Sequence, residues 1–238
     1  MGKTECIVFG SSGKLKGLGN FLFSCDGMAV KQVTSVKYLG VTLDQKFKFT
    51  QHVTEMLNKC AGRVSFLYRN SSCLDFDCRR TLCNALIQPY LDYCSSTWYS
   101  SITQNLRSRL DVIQRRMVRF VYSRDPLYHV LPQDMEGLLW LSIPNRVKFF
   151  KLNQVFQIGS GRAPQYLATS FQSLASSHSH NTRCSSHNYF ISKELANSPT
   201  SFSFTAIKHW NSLPRCLKEI QKFGSFKTRL KQFILSSD

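Results

Sequence analysis

Residues 78–98, CRRTLCNALIQPYLDYCSSTW, decide the fold, because most of this stretch is one apolar helical face. Its apolar side chains recur every three or four residues, which is the α-helical period and produces a wide stripe that must be buried. Asp75 or Asp77 can accept the free N–H groups of the first turn. Pro89 lies inside the pattern and predicts a kink or a break into two helices. The stripe consists of Leu82, Cys83, Leu86, Ile87, Tyr90, Leu91 and Cys94.

The segments on both sides of this stretch have the same helical period. Residues 50–70 predict an amphipathic helix capped by Thr50, and residues 103–122 predict a further one. Three successive amphipathic helices with short connections are expected to pack as a bundle, in which each apolar face covers the others. In the last of the three, five arginines are predicted to point largely outward: Arg107, Arg109, Arg115, Arg116 and Arg119.

The chain before the bundle has the pattern of β-structure. Residues 5–10 are a short β-type run, and residues 20–33 predict a hairpin around Asp26-Gly27. Residues 36–44, VKYLGVTLD, predict a third strand, in which Gly40 leaves the backbone open to close approach. The intervening GSSGKLKGLG lacks the GxxxxGK[ST] order of a phosphate-binding loop and is interpreted as a flexible turn.

The chain after the bundle predicts a second helical core. Asp125-Pro126 ends the bundle, and Pro144 opens a helix with a nearly all-round apolar surface. Two short helices over residues 202–213 and 225–235 close the chain. The predicted fold is α+β, mostly α: a small N-terminal antiparallel β element in residues 1–49, a three-helix bundle in residues 50–124 and a second helical subdomain in residues 125–238.

The charge balance points to a polyanionic partner. Lys and Arg outnumber Asp and Glu by 31 to 14 in 238 residues, a net charge of +17. Such a surface favours nucleic acid, because each neutralised phosphate releases counterions. The sequence has no apolar run long enough for a membrane span and no apolar signal-peptide region. We therefore expect no membrane partner and an intracellular location.

Two basic clusters are candidate nucleic-acid contacts. The segment from Arg107 to Arg124 contains six arginines and one acidic residue, Asp111. A base-paired duplex presents its phosphates to such a helix rather than accessible base edges. We expect binding that depends on salt and not on sequence; a solvated charged face is the alternative. The second cluster is opposed only by Glu219 and consists of Arg215, Lys218, Lys222, Lys227, Arg229 and Lys231.

Cysteine, histidine and tryptophan residues carry weaker signals. Nine cysteines without a CxxC pair predict reduced thiols, with Cys60, Cys83 and Cys94 in the core. An HxHxxxCxxH group could ligate zinc, although its spacing fits no common finger. Its members are His178, His180, Cys184 and His187. The three tryptophans adjoin apolar runs and are interpreted as core anchors: Trp98, Trp140 and Trp210.

Nine segments in order give the chain a resemblance to a known family. They resemble the C-terminal third of Jockey-like non-LTR, or LINE-type, retrotransposon reverse transcriptases over nearly the whole chain. The segments are KTECIVFG at 3–10, VKYLGVTLD at 36–44, ALIQPYLDYCSSTW at 85–98, LDVIQRRMVRF at 110–120, LWLSIPNRVKFFKL at 139–152, RAPQYL at 162–167, HNTR at 180–183, AIKHWNSLP at 206–214 and FKTRLKQFIL at 226–235.

The resemblance implies which part of the enzyme each segment corresponds to, and which partner it binds. Lys3-Thr4-Glu5 resembles the lysine-bearing palm motif, and Tyr38-Leu39-Gly40-Val41 resembles the primer-grip hairpin, so Tyr38 and Gly40 would lie against the primer. The helices of residues 50–122 resemble the thumb, which lies along the template–primer duplex. The implied partner is an RNA–DNA hybrid or duplex. The candidate contacts are Tyr38, Gly40, Arg107, Arg109, Arg115, Arg116, Arg119, Lys227, Arg229 and Lys231.

The catalytic part of such an enzyme is not recognisable in the sequence. The polymerase reaction uses two metal ions held by the aspartates of an (F/Y)xDD turn and an upstream strand. The sequence contains no Asp-Asp or Asp-Glu pair and begins after the place of that motif. We expect no enzymatic activity and no cofactor, since magnesium would belong to the missing catalytic core.

Two alternative functions remain open at this level. The sequence could be a truncated product of an active polymerase gene, which an in-frame upstream (F/Y)xDD strand would reveal. It could instead be a helical protein-interaction module, which a large apolar surface patch would favour. A palm remnant would also leave an unpaired β edge, which can pair with a second copy of the chain.

Overall fold

A computed structural model describes residues 4–17, 23–25, 27–177 and 187–236. They are mostly helical, with a few strands in two small sheets, which confirms the predicted α+β class with mostly α content. Lys3 and Asp26 lie outside the described residues. So do His178, His180 and Cys184 of the predicted zinc group, together with the HNTR segment. Predictions that depend on these residues stay predictions.

The strands and main helices follow the chain in the expected order. The strands are β1 Glu5–Cys6, β2 Phe23–Cys25, β3 Met28–Gln32, β4 Ser35–Tyr38 and β5 Val41–Asp44. The helices are α1 Ser12–Gly17, α2 Thr50–Arg69, α3 Phe76–Leu86, α4 Gln88–Asp92, α5 Ser95–Trp98, α6 Gln104–Val121, α7 Pro132–Gly137, α8 Ile143–Gly159, α9 Gln165–Ala168, α10 Leu174–Ser177, α11 Lys193–Ala196, α12 Phe202–Asn211, α13 Arg215–Lys218 and α14 Phe223–Leu235, with short 3-10 turns at Ser71–Cys73 and Tyr99–Ser101.

The N-terminal sheet is mixed rather than purely antiparallel. Strands β2 and β3 form the predicted antiparallel hairpin, but β1 is only two residues long and pairs with β3 in parallel, with Glu5 opposite Lys31. Strand β2 runs opposite to β1, and the hairpin then returns β3 to the direction of β1. The sheet order is β1-β3-β2, and the edge-pairing prediction stays untested.

The predicted continuous strand over residues 36–44 is wrong, because this stretch is a second hairpin. Strands β4 and β5 pair antiparallel, with Tyr38 opposite Val41. Leu39 and Gly40 form the turn with φ values of 45° and 84°. Two successive positive φ values match the twist of a tight hairpin. The alternation of side chains does not distinguish one strand from two, because both arms of the hairpin have the same period.

The prediction that Thr50 caps α2 is wrong, because Asp44 holds the start of this helix. Phe49 precedes the helix in the left-handed region, and no side chain caps it directly. Instead, the carboxylate of Asp44 accepts from the backbone N–H groups of Lys46, Lys48 and Phe49, at 3.0, 3.1 and 2.6 Å. The last residue of β5 therefore fixes the angle at which α2 leaves the hairpin.

The helical stretch over residues 78–98 is interrupted twice. Asp75 accepts from the N–H of Cys78 at 2.7 Å, which confirms the predicted cap of α3. Pro89 confirms the predicted break, since α3 ends at Leu86 and α4 begins at Gln88. A second break, not predicted, lies at Cys94, which has φ 51° and is exposed. Its assignment to the core was therefore wrong.

Two apolar cores organise the helices. The first collects buried side chains of α2, α3 and α6, and the second those of α8, α12 and α14. Cys60 and Cys83 are fully buried in the first core, as predicted, and burial raises the pKa of their thiols to about 11 and about 12. All three tryptophans are buried, which confirms their interpretation as core anchors: Trp98, Trp140 and Trp210.

The chain entering α8 packs on the first core. Leu138, Trp140 and Ile143 belong to that core. Gln114, buried on α6, donates to the carbonyl of Leu141 at 2.9 Å and accepts from the N–H of Ile143 at 3.2 Å. The predicted domain limits stay predictions. Within the described residues, no helix is both long and apolar enough to cross a membrane.

Polar contacts at α8 join the two cores. Arg146 binds Asp92 of α4 with two hydrogen bonds, and both side chains are about three-quarters buried. Lys151 is 1% exposed, and its Nζ donates to Ser100 Oγ at 2.6 Å and Thr205 Oγ1 at 2.7 Å. These contacts connect helices that lie far apart in sequence.

Candidate nucleic-acid interface

The outer face of α6 carries two exposed arginines. Arg109 and Arg115 are exposed and flank Val112, whose side chain is 45% exposed. Residues spaced by three lie on one side of a helix, so the three side chains form a continuous strip. We call Arg109, Val112 and Arg115 the α6 strip. The exposure of Arg109 and Arg115 agrees with their predicted outward orientation, and their contact with nucleic acid stays a prediction.

The other three arginines of α6 are half-buried and bind the protein itself. Arg107 Nη2 donates to the carbonyls of Tyr99 and Ser100, at 3.5 and 3.2 Å. Arg119 Nε donates to the carbonyl of Tyr128 at 2.7 Å, and Arg116 Nη2 to Ser65 Oγ at 3.3 Å. The expectation of an outward orientation is therefore wrong for Arg107, and Arg116 and Arg119 are only partly available to a ligand.

Asp111 is the one acidic residue of α6. It is half-buried and lies one turn before Arg115, between Arg107 and Arg115 on the helical wheel. Burial raises the pKa of its carboxyl, and the positive charge of Arg115 opposes that shift. The strip itself contains no acidic side chain.

The C-terminal basic cluster is divided by the structure. Lys227 and Lys231 lie one turn apart on α14, and burial lowers the pKa of Lys231, with Arg146 and Lys227 adding to the shift. Arg229 is exposed on a different side of the helix. Arg215 pairs with Glu219 at 2.6 Å, and Lys218 donates to Asn188 and Asn211. The six residues do not form one surface.

The tip of the β4–β5 hairpin is apolar and exposed. Tyr38 is 64% exposed and Leu39 75%. The hydroxyl of Tyr93 donates to the carbonyl of Leu39 at 2.6 Å, which ties the tip to the segment after α4. The hairpin therefore presents an aromatic side chain from a backbone that this hydrogen bond holds in place. Contact with a primer stays a prediction.

The structure gives a reason for a glycine at position 40 that the sequence did not reveal. Its φ is +84°, and a Cβ atom there would lie 3.3 Å from the ring of Tyr93. We expect Gly40→Ala to lower the free energy of unfolding by about 1–2 kcal/mol, because a side chain disfavours the left-handed region. Urea denaturation of both proteins measures this difference.

This expectation makes Gly40 a poor probe of nucleic-acid contact, since a larger residue would disturb the turn itself. Tyr38→Ser removes the exposed ring and leaves the turn residues in place. An unchanged stability of Gly40→Ala would contradict the assigned role of Gly40 in the turn.

A pocket beside the hairpin was not predicted from the sequence. It has a volume of about 320 Å³ and lies between the hairpin, α2 and α4, with Lys37 and Lys59 among its lining residues. His52 lines it and accepts from the N–H of Thr42 at 3.4 Å. Burial lowers the pKa of His52, which keeps its ring neutral at pH 7. Only the fold brings these residues together, so no local pattern could have indicated them.

The described residues offer no metal site. In these parts of the chain, no three His, Cys, Asp or Glu side chains lie close enough to hold a metal ion. His187, from the predicted zinc group, has its Nε2 at 3.7 Å from a carboxylate oxygen of Glu219.

Comparison with known proteins gives one relevant similarity. The chain is 26% identical over 95 residues to a protein described as "Probable RNA-directed DNA polymerase from transposon X-element" of Drosophila melanogaster. The aligned part covers 39% of this chain and 10% of the relative. The sequence is thus related to a retrotransposon RNA-directed DNA polymerase over part of its length. No family model matches the chain, and no solved structure matches it.

Proposed function

We propose that this chain is a part of a non-LTR retrotransposon reverse transcriptase that holds a template–primer duplex without catalysing polymerisation itself. The observation that carries the proposal is the α6 strip, which has two exposed arginines and only the half-buried Asp111 as an acidic neighbour. The partial similarity to an RNA-directed DNA polymerase gives this face its expected ligand. The proposal includes an intracellular location, nuclear or cytoplasmic.

The chemistry of the α6 strip suits a backbone contact. Arginine presents donors in a planar fork that matches phosphate oxygens. Two guanidinium groups on successive turns of one rigid helix can contact phosphates along a duplex, while Val112 between them offers no hydrogen bond to a base edge. The expected binding is therefore independent of sequence and strongly dependent on salt.

The absence of catalysis is part of the proposal. The sequence has no Asp-Asp or Asp-Glu pair, and the described carboxylates form no metal-binding group. Several of them bind protein groups instead: Asp44 and Asp75 accept backbone N–H groups, and Asp92 binds Arg146. We expect these 238 residues by themselves to show no primer extension.

We expect Arg109→Gln/Arg115→Gln to weaken binding of a fluorescent RNA–DNA hybrid by about tenfold at low salt. Loss of two phosphate contacts should also lower the slope of log K against log salt by about two. Fluorescence anisotropy over a salt series measures both quantities. Arg116 is kept, because its bond to Ser65 makes it a less specific probe.

The matched control is Arg162→Gln/Lys193→Gln, which removes the same charge from exposed positions outside α6. It should bind the hybrid like the unmodified protein. Equal weakening by both pairs would show that only net charge matters. No binding by the folded, unmodified protein at low salt would refute the proposal.

A further inference from the structure

A cleft with aromatic, lysine and hydroxyl side chains lies on a different part of the molecule from the α6 strip. Its volume is about 880 Å³, within the roughly 300–1,000 Å³ range of ligand pockets. It lies between the segment after β1, the turn that follows β5, and the start of α12. These three elements belong to separate parts of the sequence, and the cleft forms only where they meet.

An exposed aromatic pair lies at this cleft. The rings of Phe9 and Phe47 stack with centroids 4.4 Å apart and planes 15° apart. The two side chains are 41% and 43% exposed, so their outer surfaces remain in contact with water. Phe47 also has a φ of 51°, which a bulky residue rarely adopts. A large apolar ring held in that conformation and only half covered indicates a surface for a flat ligand.

The remaining lining suits a phosphodiester chain. Lys46 and Lys48 flank Phe47, and no acidic side chain lies among the residues that line the cleft. The backbone N–H groups of both lysines bind the carboxylate of Asp44, which holds this turn in place. Hydroxyl groups line the opposite wall, among them Thr97, Ser101 and Thr200. These can donate to phosphate or sugar oxygens.

We propose that this cleft binds single-stranded nucleic acid, with a base stacked on the pair formed by Phe9 and Phe47 and the backbone held by Lys46 and Lys48. Stacking requires an unpaired base, because the bases of a duplex cover one another's faces. The proposal rests on the proposed function, and it adds a single-strand contact to the duplex contact of the α6 strip. Aromatic and basic groups that act together are typical of sequence-tolerant single-strand sites.

The test uses the full chain and two probes, a fluorescein-labelled oligothymidylate and an RNA–DNA hybrid with blunt ends. We expect Phe9→Ala/Phe47→Asn to bind the oligothymidylate at least about fivefold more weakly and the hybrid unchanged. Asparagine is chosen because it tolerates the positive φ at this position. Tyr166→Ala, which removes another exposed ring, is the matched control and should bind both probes normally.

Lys46→Gln/Lys48→Gln keeps the aromatic packing and covers the case in which the aromatic variant fails to fold. This double variant should lower the salt dependence of oligothymidylate binding and leave that of hybrid binding unchanged. Unchanged oligothymidylate binding in either folded variant would overturn the inference. Hybrid binding that survives Arg109→Gln/Arg115→Gln would refute the α6 proposal separately, so the two failures can be distinguished.

Discussion

Asp92→Asn should lower the free energy of unfolding by about 2–4 kcal/mol, because it removes the charge that compensates Arg146 at the contact between the two cores. The pair is bidentate, and about three-quarters of each side chain is buried. Arg146 also adds to the positive field at Lys231, so the loss of Asp92 leaves several cations close together. Urea denaturation at neutral pH measures the change.

A matched pair on the surface serves as the control for Asp92. Arg80 and Asp77 are 3.0 Å apart on α3, with side chains 41% and 76% exposed. Asp77→Asn should cost less than about 1 kcal/mol, because water screens exposed pairs. Similar losses in both variants would contradict the special role of the Asp92–Arg146 pair. Arg146→Met completes a double-mutant cycle that isolates the interaction between the two residues.

Lys151→Met should raise the free energy of unfolding by about 2–3 kcal/mol at pH 7, the reverse of the usual effect of a core substitution. Lys151 is buried with two hydroxyl partners, and burial, followed by the charge of Arg107, lowers its pKa to about 8. Methionine fills a similar volume without the cost of burying a charge. Lys148→Met, half-buried on the same helix, should change stability by less than about 0.5 kcal/mol.

The gain from Lys151→Met should depend on pH in a defined direction. Below pH 8 both states of the unmodified protein keep the Lys151 proton, so the full cost of the buried charge is present. Between about pH 8 and the ordinary lysine value of 10.5, the unfolded state binds more protons, and the unmodified protein gains stability as pH rises. The difference between the two proteins should therefore shrink over that interval.

A second readout for Lys151 is the titration of His209. Burial lowers the pKa of His209 to about 4, and the charges of Lys151, Lys148 and Lys208 add to the shift. Lys151→Met should raise this pKa, which proton NMR of the imidazole can follow. A constant difference in stability across pH 7–10.5, with an unmoved His209 titration, would contradict a buried charged Lys151.

Local structure was largely predictable from the sequence. The helical period over residues 50–70 and 103–122 corresponds to α2 and α6, and Asp75 and Pro89 set a helix start and a break as predicted. The differences lie at positive-φ positions such as Leu39, Gly40 and Cys94, and where a cap comes from another element. Thr50 looked like the cap of α2, yet the carboxylate that holds this turn belongs to Asp44 of the preceding strand. A helical wheel cannot identify such a partner.

The candidate site was predictable only in part. The sequence indicated a basic α6, but the helix period alone did not separate Arg109 and Arg115 from the three arginines that bind Tyr99, Ser65 and Tyr128. The cleft at Phe9 and Phe47 had no sequence signal at all. Its walls come from segments that only the folded chain brings together.

The sequence by itself determined the class of fold, the positions of the main helices and the strong positive charge, because period, turn residues and composition are local properties. Tertiary structure decided which cations remain free and which are buried. Lys151 contacts side chains 51 and 54 residues away, and Asp92 lies 54 residues from Arg146. Burial and charge compensation depend on such distant neighbours, so they arise only when the chain packs.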